Sequence, residues 1–106
     1  MSKVGPVATY LAELYVPDRG EGARAPLAAR ANAAAEELSR EGVDVRYVRS
    51  VFVPEDQTCF CFFEAPSADS VRDVLVRAAL DAVIVVEAYI VPSSSSASEN
   101  GDRFKS

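Results

Sequence analysis

The two cysteines of the chain stand two residues apart, in the stretch TCFCFFE at residues 58–64. Residues two apart on an extended strand lie on the same face, so the two thiols are neighbours. Such a pair can pack as apolar side chains, bind a soft metal or take part in redox chemistry. A tetrahedral site needs four ligands, and a disulfide needs Cα atoms closer than a straight strand provides. We expect Cys59 and Cys61 to be buried packing residues, with soft-metal and redox roles as the alternatives.

Composition limits the other chemistry that the chain can perform. The 106 residues contain no histidine, which removes the usual general base and the commonest ligand for zinc, copper or nickel. Eleven basic residues stand against sixteen acidic ones without a basic run, so nucleic acid is not an expected partner. Because Glu13 breaks the only apolar stretch near the N-terminus, we expect no signal peptide and no membrane span, and a cytoplasmic location.

The hydrophobic pattern predicts strands and helices in the order strand, helix, strand, strand, helix, strand. The predicted strands are residues 8–16, 43–53, 58–64 and 82–91, and the predicted helices begin at Pro26 and, after a Ser67 cap, at residue 68. This order is typical of the ferredoxin-like α+β fold, βαββαβ, in which a four-stranded antiparallel sheet carries both helices on one face. Residues 1–91 form the predicted domain, and the Ser-rich residues 92–106 a disordered tail.

The alternation of side chains along each strand separates a face under the helices from an open face. Because cysteine is readily buried and glutamate is not, we assign the thiols to the helix-covered face and Glu64 to the open face. In the fourth strand the apolar set containing Ile84 and Val86 is assigned to the helices. The expected open face then holds Leu11, Glu13, Tyr15, Tyr47, Arg49, Val51, Phe60, Phe62, Glu64, Val85, Glu87 and Tyr89.

An open face of this composition is too apolar to remain in water and too charged to be a plain core. We therefore expect a homodimer, a dimeric α/β barrel in which a second copy packs over the sheet and encloses a cavity. The glutamates of the open face form a structural ion pair with Arg49 at the dimer interface, or they line a pocket for a small molecule or a metal. The candidate ligand-binding residues are Glu13, Tyr15, Tyr47, Arg49, Phe60, Phe62, Glu87 and Tyr89.

Three functions fit these residues. The first is a non-enzymatic protein that binds a small ligand in the dimer cavity. The second is a cofactor-independent monooxygenase or isomerase, in which a cavity glutamate with a raised pKa acts as the base. The third is an interaction module in which Arg49 and the glutamates only fix the dimer register. No nucleophile–base pair is readable, so binding is favoured over catalysis, and the residues alone identify no cofactor.

Three stretches resemble a family of small actinobacterial nickel-binding proteins, otherwise a domain of unknown function. They are TYLAEL at residues 9–14, VRYVRSVFVPEDQTCFCFFEAPSADSVRD at 45–73 and VEAY at 86–89. The family pattern has Y-L-x-E in the first strand, then aromatic-V-[HR]-S-x-x-V-x-[ED]-D-x-T-x-C, then A-P-[SN]-x-[ED]-x-[VI]-R. The resemblance implies a ferredoxin-like fold, a dimeric α/β barrel and Ni²⁺ as the bound metal. Nickel-binding members carry histidine at the position of Arg49, and an arginine cannot be a metal ligand.

Overall fold

The secondary structure follows the order that the sequence predicts. In this computed structural model, which describes residues 6–17, 22 and 24–91, the elements alternate along the chain as expected. They are β1 (Ala8–Tyr15), α1 (Arg24–Arg40), β2 (Arg46–Val53), a 3₁₀ turn (Pro54–Asp56), β3 (Thr58–Ala65), α2 (Ala68–Arg77) and β4 (Ala82–Ala88). The prediction of a disordered tail at residues 92–106 lies outside the described residues.

The four strands form one antiparallel sheet in the order β2-β3-β1-β4. The core residues of the sheet and of both helices form a single cluster, so the helices cover one face only. This is the ferredoxin-like arrangement, and the predicted fold is confirmed. β2 and β4 are the edge strands, and β1 and β3 hold the centre of the sheet.

The helices bury the stripes that their spacing predicts. The predicted stripe residues are all buried: Leu27, Ala31, Ala34 and Leu38 in α1, and Val71, Val74, Leu75 and Ala78 at α2. The Ser67 hydroxyl accepts a hydrogen bond from the Ser70 amide at 3.2 Å, which is the predicted N-cap of α2. α1 begins at Arg24, two residues before the predicted start at Pro26, because proline is tolerated throughout the first turn, where no intrahelical donor is needed.

The central strands present the faces that the sequence predicts. Ala12 and Leu14 of β1, and Cys59, Cys61 and Phe63 of β3, are at most 4% exposed beneath the helices. Their neighbours along each strand therefore point to the opposite side of the sheet. The alternation is readable in these two strands because each mixes large apolar residues with a glutamate.

The prediction for the faces of β4 is wrong. The register joins Glu13 with Ile84, Leu11 with Val86, Ala12 with Val85 and Tyr10 with Glu87. Ile84 and Val86 therefore lie on the open face, whereas Val85 and Glu87 lie on the side of the helices. A run of consecutive apolar residues carries no alternation, so the sequence could not fix which set points inward. β4 also ends at Ala88, before the predicted Val91.

The prediction that Tyr47 lies on the open face is also wrong. The register of β2 against β3 shifts between Tyr47 and Arg49, as it does at a β-bulge. Tyr47 pairs with Phe63, its ring 5.7 Å from the Phe63 ring in an edge-to-face contact on the core side. Arg49 pairs with Phe62 and remains on the open face. One irregular residue, Val48, thus separates two side chains that regular alternation would place together.

Candidate functional site

The centre of the open face, the side of the sheet that neither helix covers, is formed by two rows of side chains across all four strands. The register places Val51, Phe60, Glu13 and Ile84 in one row, and Arg49, Phe62, Leu11 and Val86 in the next. Between 44% and 46% of the surfaces of Val51, Ile84 and Val86 are exposed. Six of these eight residues are apolar, so the two rows form a continuous apolar surface in which Glu13 and Arg49 are the charged residues.

Glu13 occupies the centre of this surface. It lies on β1 between Phe60 of β3 and Ile84 of β4, and its side chain is partly buried. Among the described residues its carboxylate forms no salt bridge and no side-chain hydrogen bond. A carboxylate with apolar neighbours is stabilised when a hydrogen-bond donor or a cation binds to it. Glu13 is therefore available to bind a donor or a cation from outside the described chain.

Arg49 is the corresponding unpartnered cation of the open face. It lies on edge strand β2, two strands away from Glu13 and two residues along, so their Cα atoms are roughly 12 Å apart by sheet geometry. Within the described chain the two groups form no ion pair, so the pair expected at the dimer interface stays a prediction. The nearby Glu64 pairs with Arg46 at 2.7 Å instead. Arg49 thus keeps its donors free of any partner among the described residues.

A depression of about 410 Å³ lies on the open face beside Arg49. Its floor includes Phe62 and Val51, and Ile90, which follows β4, contributes to its wall. The full lining is Thr9, Val48, Arg49, Val51, Phe62, Glu64 and Ile90. This volume falls in the range of small-molecule sites, which are mostly apolar with a few polar groups.

The structure brings together five of the eight predicted ligand-binding residues. Glu13, Tyr15, Arg49, Phe60 and Phe62 lie on the open face, as the register shows. Tyr15 stands at its rim, 61% exposed, and its hydroxyl donates to the Gln57 side-chain oxygen at 3.0 Å. The face therefore offers one acid, one base and aromatic surface from the predicted set.

Three predicted residues do not join this group. Tyr47 and Glu87 lie on the helix side for the reasons given above, and Tyr89 follows the end of β4 with 80% of its surface exposed. In their place the structure adds Thr9, Val48, Ile84, Val86 and Ile90. The signal that could have found Ile84 and Val86 is the strand register, which periodicity alone does not reveal.

The two thiols lie on the opposite side of the sheet from this site. Cys59 is 4% exposed and Cys61 is fully buried, and both are free. Their predicted inward placement is confirmed.

Neither α1 nor α2, the α-helices of the described chain, combines the length and the apolar content that a membrane crossing requires.

Comparison with known proteins places the chain in a family. The family model described as "Nickel responsive protein SCO4226-like" matches residues 10–87, from β1 into β4. The crystal structure of SCO4226 from Streptomyces coelicolor A3(2) is similar to this chain, with a TM-score of 0.56 and 23% identity. That similarity, which supports the fold, covers 83% of this chain and 100% of the other. No curated protein matches the chain. The chain belongs to the SCO4226-like family of nickel-responsive proteins.

Proposed function

We propose that the chain is a homodimeric binding protein that holds a small organic ligand between the open faces of two copies. One observation carries this proposal. The half-exposed apolar side chains of the open face surround Glu13 and Arg49, and no described element of the chain covers them. A contiguous apolar surface of this kind marks an interface or a ligand site.

The charges of the open face favour a second copy as the cover. Glu13 and Arg49 stand in adjacent rows and point out of the same surface. In a two-fold contact, residue i of one copy meets residue j of the other, and j meets i. Each carboxylate can then meet a guanidinium of the partner, so that both groups are compensated as water is removed. The same packing buries the surrounding aliphatic and aromatic side chains.

The depression beside Arg49 supports a ligand of limited size. Its volume of about 410 Å³ suits a small organic molecule, and a second sheet above it would close it from solvent. The apolar body of such a ligand would contact Phe62 and Val51. Its polar group would bond to Arg49 or to Glu13, the two open-face groups that lack a described partner.

The residues present do not fit the nickel that the family description names. The chain has no histidine, and the described residues contain no cluster of three or more histidine, cysteine, aspartate or glutamate side chains. Arg49 places a fixed positive charge where the nickel-binding members that the sequence resembles carry histidine, and this charge repels a dication. The proposed ligand is therefore organic, and no metal enters the proposal.

Two measurements test the proposal. Light scattering at micromolar concentration should give twice the chain mass, and native mass spectrometry of the purified protein should show a bound small molecule. Glu13→Gln and Arg49→Gln should lose that molecule, while Glu36→Gln on the exposed side of α1 should keep it. A single-chain mass would overturn the dimer. Flat thermal shifts across metabolites, together with an unliganded mass spectrum, would overturn the binding function.

A further inference from the structure

A chain of hydrogen bonds on the helix-covered face ends at the two thiols. The Tyr47 hydroxyl lies 2.7 Å from Ser50 Oγ, and Ser50 Oγ donates to Cys61 Sγ at 3.2 Å. A serine hydroxyl has one proton, so Tyr47 must be the donor in its bond to Ser50. The Cys61 and Cys59 sulfurs are 4.0 Å apart. The donors are therefore aligned from Tyr47 towards the cysteine pair.

The last contact of this chain joins the two sulfurs, and either thiol can be its donor. Burial raises the pKa of Tyr47, which stays a donor. Negative charge on the thiol pair is thus stabilised by the Ser50 hydroxyl, which donates to Cys61.

A crevice of about 350 Å³ between α1 and β2 leads to Cys59. Arg24 carries the only charge among its described lining residues, and the Arg24 guanidinium lies 4.7 Å from the centre of the Phe52 ring on the crevice wall. Cys59 is only 4% exposed, and it is the thiol that lines this crevice.

We propose that Cys59 and Cys61 form a two-coordinate site for a soft monovalent cation such as Cu⁺ or Ag⁺. Thiolates select soft cations of this class. At the zinc–sulfur bond length of about 2.3 Å, two thiolates around one ion lie up to roughly 4.6 Å apart, and less when the arrangement is bent. The observed 4.0 Å needs only small side-chain rotations. The site is distinct from the open face, which lies on the other side of the sheet.

The charges balance without any electron transfer. One monovalent cation displaces the two thiol protons, which leave to solvent, and two metal–sulfur bonds form. The resulting bis-thiolate complex carries one negative charge, which the Ser50 hydroxyl stabilises by its hydrogen bond to Cys61. A tetrahedral dication would lack ligands, because the described residues contain no group of three metal-ligating side chains.

Anaerobic competition between the protein and a chromophoric Cu⁺ chelator tests the site, with native mass spectrometry to count bound ions. We expect one Cu⁺ per chain in the native protein and none in Cys59→Ser or Cys59→Ala. Ser50→Ala, which keeps both thiols, should weaken the affinity about 10-fold or more. Ser70→Ala is the matched control, because Ser70 lies in α2 and bonds only to Ser67 among the described residues.

Several outcomes would overturn the site. One is a native protein that takes no copper from the chelator. Another is a Cys59→Ser variant that still binds one ion per chain. Because Cys61 is fully buried, Cys61→Ser could unfold the chain, so circular dichroism and a thermal melt accompany each variant and the Cys59 variants carry the test. The Glu13→Gln protein should bind Cu⁺ normally, which separates this site from the proposed ligand site on the open face.

Discussion

The two faces of the sheet use similar side chains in different ways. On the helix-covered face, Phe63 and Cys61 are fully buried, and Tyr47 and Ser50 have found hydrogen-bond partners within the chain. On the open face, nearly half of the surface of Val51, Ile84 and Val86 meets solvent, and Glu13 lacks a described partner. Packing is therefore complete within one chain on the first face only. The second face is left uncovered by the described chain, which is why the proposed function lies there.

The largest expected effect is on the free energy of unfolding, which should fall more for a truncation on the helix-covered face than for one on the open face. Phe63→Ala should lower the free energy of unfolding by about 3–5 kcal/mol, because a fully buried ring leaves a cavity in the core. Phe60→Ala, a matched change on the open face of the same strand, should cost clearly less at dilutions where chains are separate. Urea unfolding followed by circular dichroism measures both. Equal losses would show that the open face is packed as tightly as the core.

The next effect separates the faces by association. Leu11→Lys puts a charge in the second row of the open face and should convert the proposed dimer to single chains, halving the mass seen by light scattering. Val76→Lys is the control, since Val76 is 77% exposed on α2 and away from that face. A Leu11→Lys protein that keeps the mass of two chains would place the interface elsewhere.

A smaller effect concerns nickel. Calorimetry should record no Ni²⁺ binding to the native protein and weak binding to Arg49→His, because the change removes a repelling charge and adds an imidazole ligand. Arg49→Gln controls for the loss of charge alone. If the native protein binds Ni²⁺ with a defined stoichiometry, the donor set deduced for the open face is incomplete.

The smallest expected effect concerns the salt bridge between Arg77 and Glu41, which lies on neither face of the sheet. Arg77 at the end of α2 bonds both carboxylate oxygens of Glu41 at 2.6 and 2.7 Å, and this bonding lowers the pKa of Glu41 below 4.5. A lowered folded-state pKa contributes stability above the unfolded value, and the contribution is lost as the pH falls through the folded value. Glu41→Gln should therefore be slightly less stable than the native protein at pH 7. Unfolding curves of the two proteins should converge well below pH 4.5.

The sequence predicted the topology and the central strands because their patterns are strong. β1 and β3 mix large apolar residues with Glu13 and Glu64, so alternation identifies their inner faces directly. The Ser67 cap and the helical stripes were likewise local signals. These features depend on neighbours in the chain, which a single sequence contains.

The edge strands were harder because their orientation depends on long-range pairing. β4 is apolar from Ala82 to Val86, so its sequence shows no alternation that would indicate which side chains point toward the helices. The sequence therefore predicts the wrong face for Glu87. In β2 a register shift at Val48 reverses the alternation of side chains. Tyr47 therefore lies on the helix-covered face and not on the open face, where the sequence predicts it. A one-residue change of register reverses every side chain beyond it, and no local pattern announces it.

The irregularity at Val48 has a consequence for how the molecule is organised. A regular strand would turn Tyr47 and Arg49 to one side, since they are two residues apart. The extra residue instead places the phenol against the Ser50 hydroxyl on the helix-covered face and leaves the guanidinium on the open face. The register shift at Val48 thus places two side chains from three consecutive residues on opposite faces of the sheet. An insertion or deletion at this position would change the environment of both side chains at once.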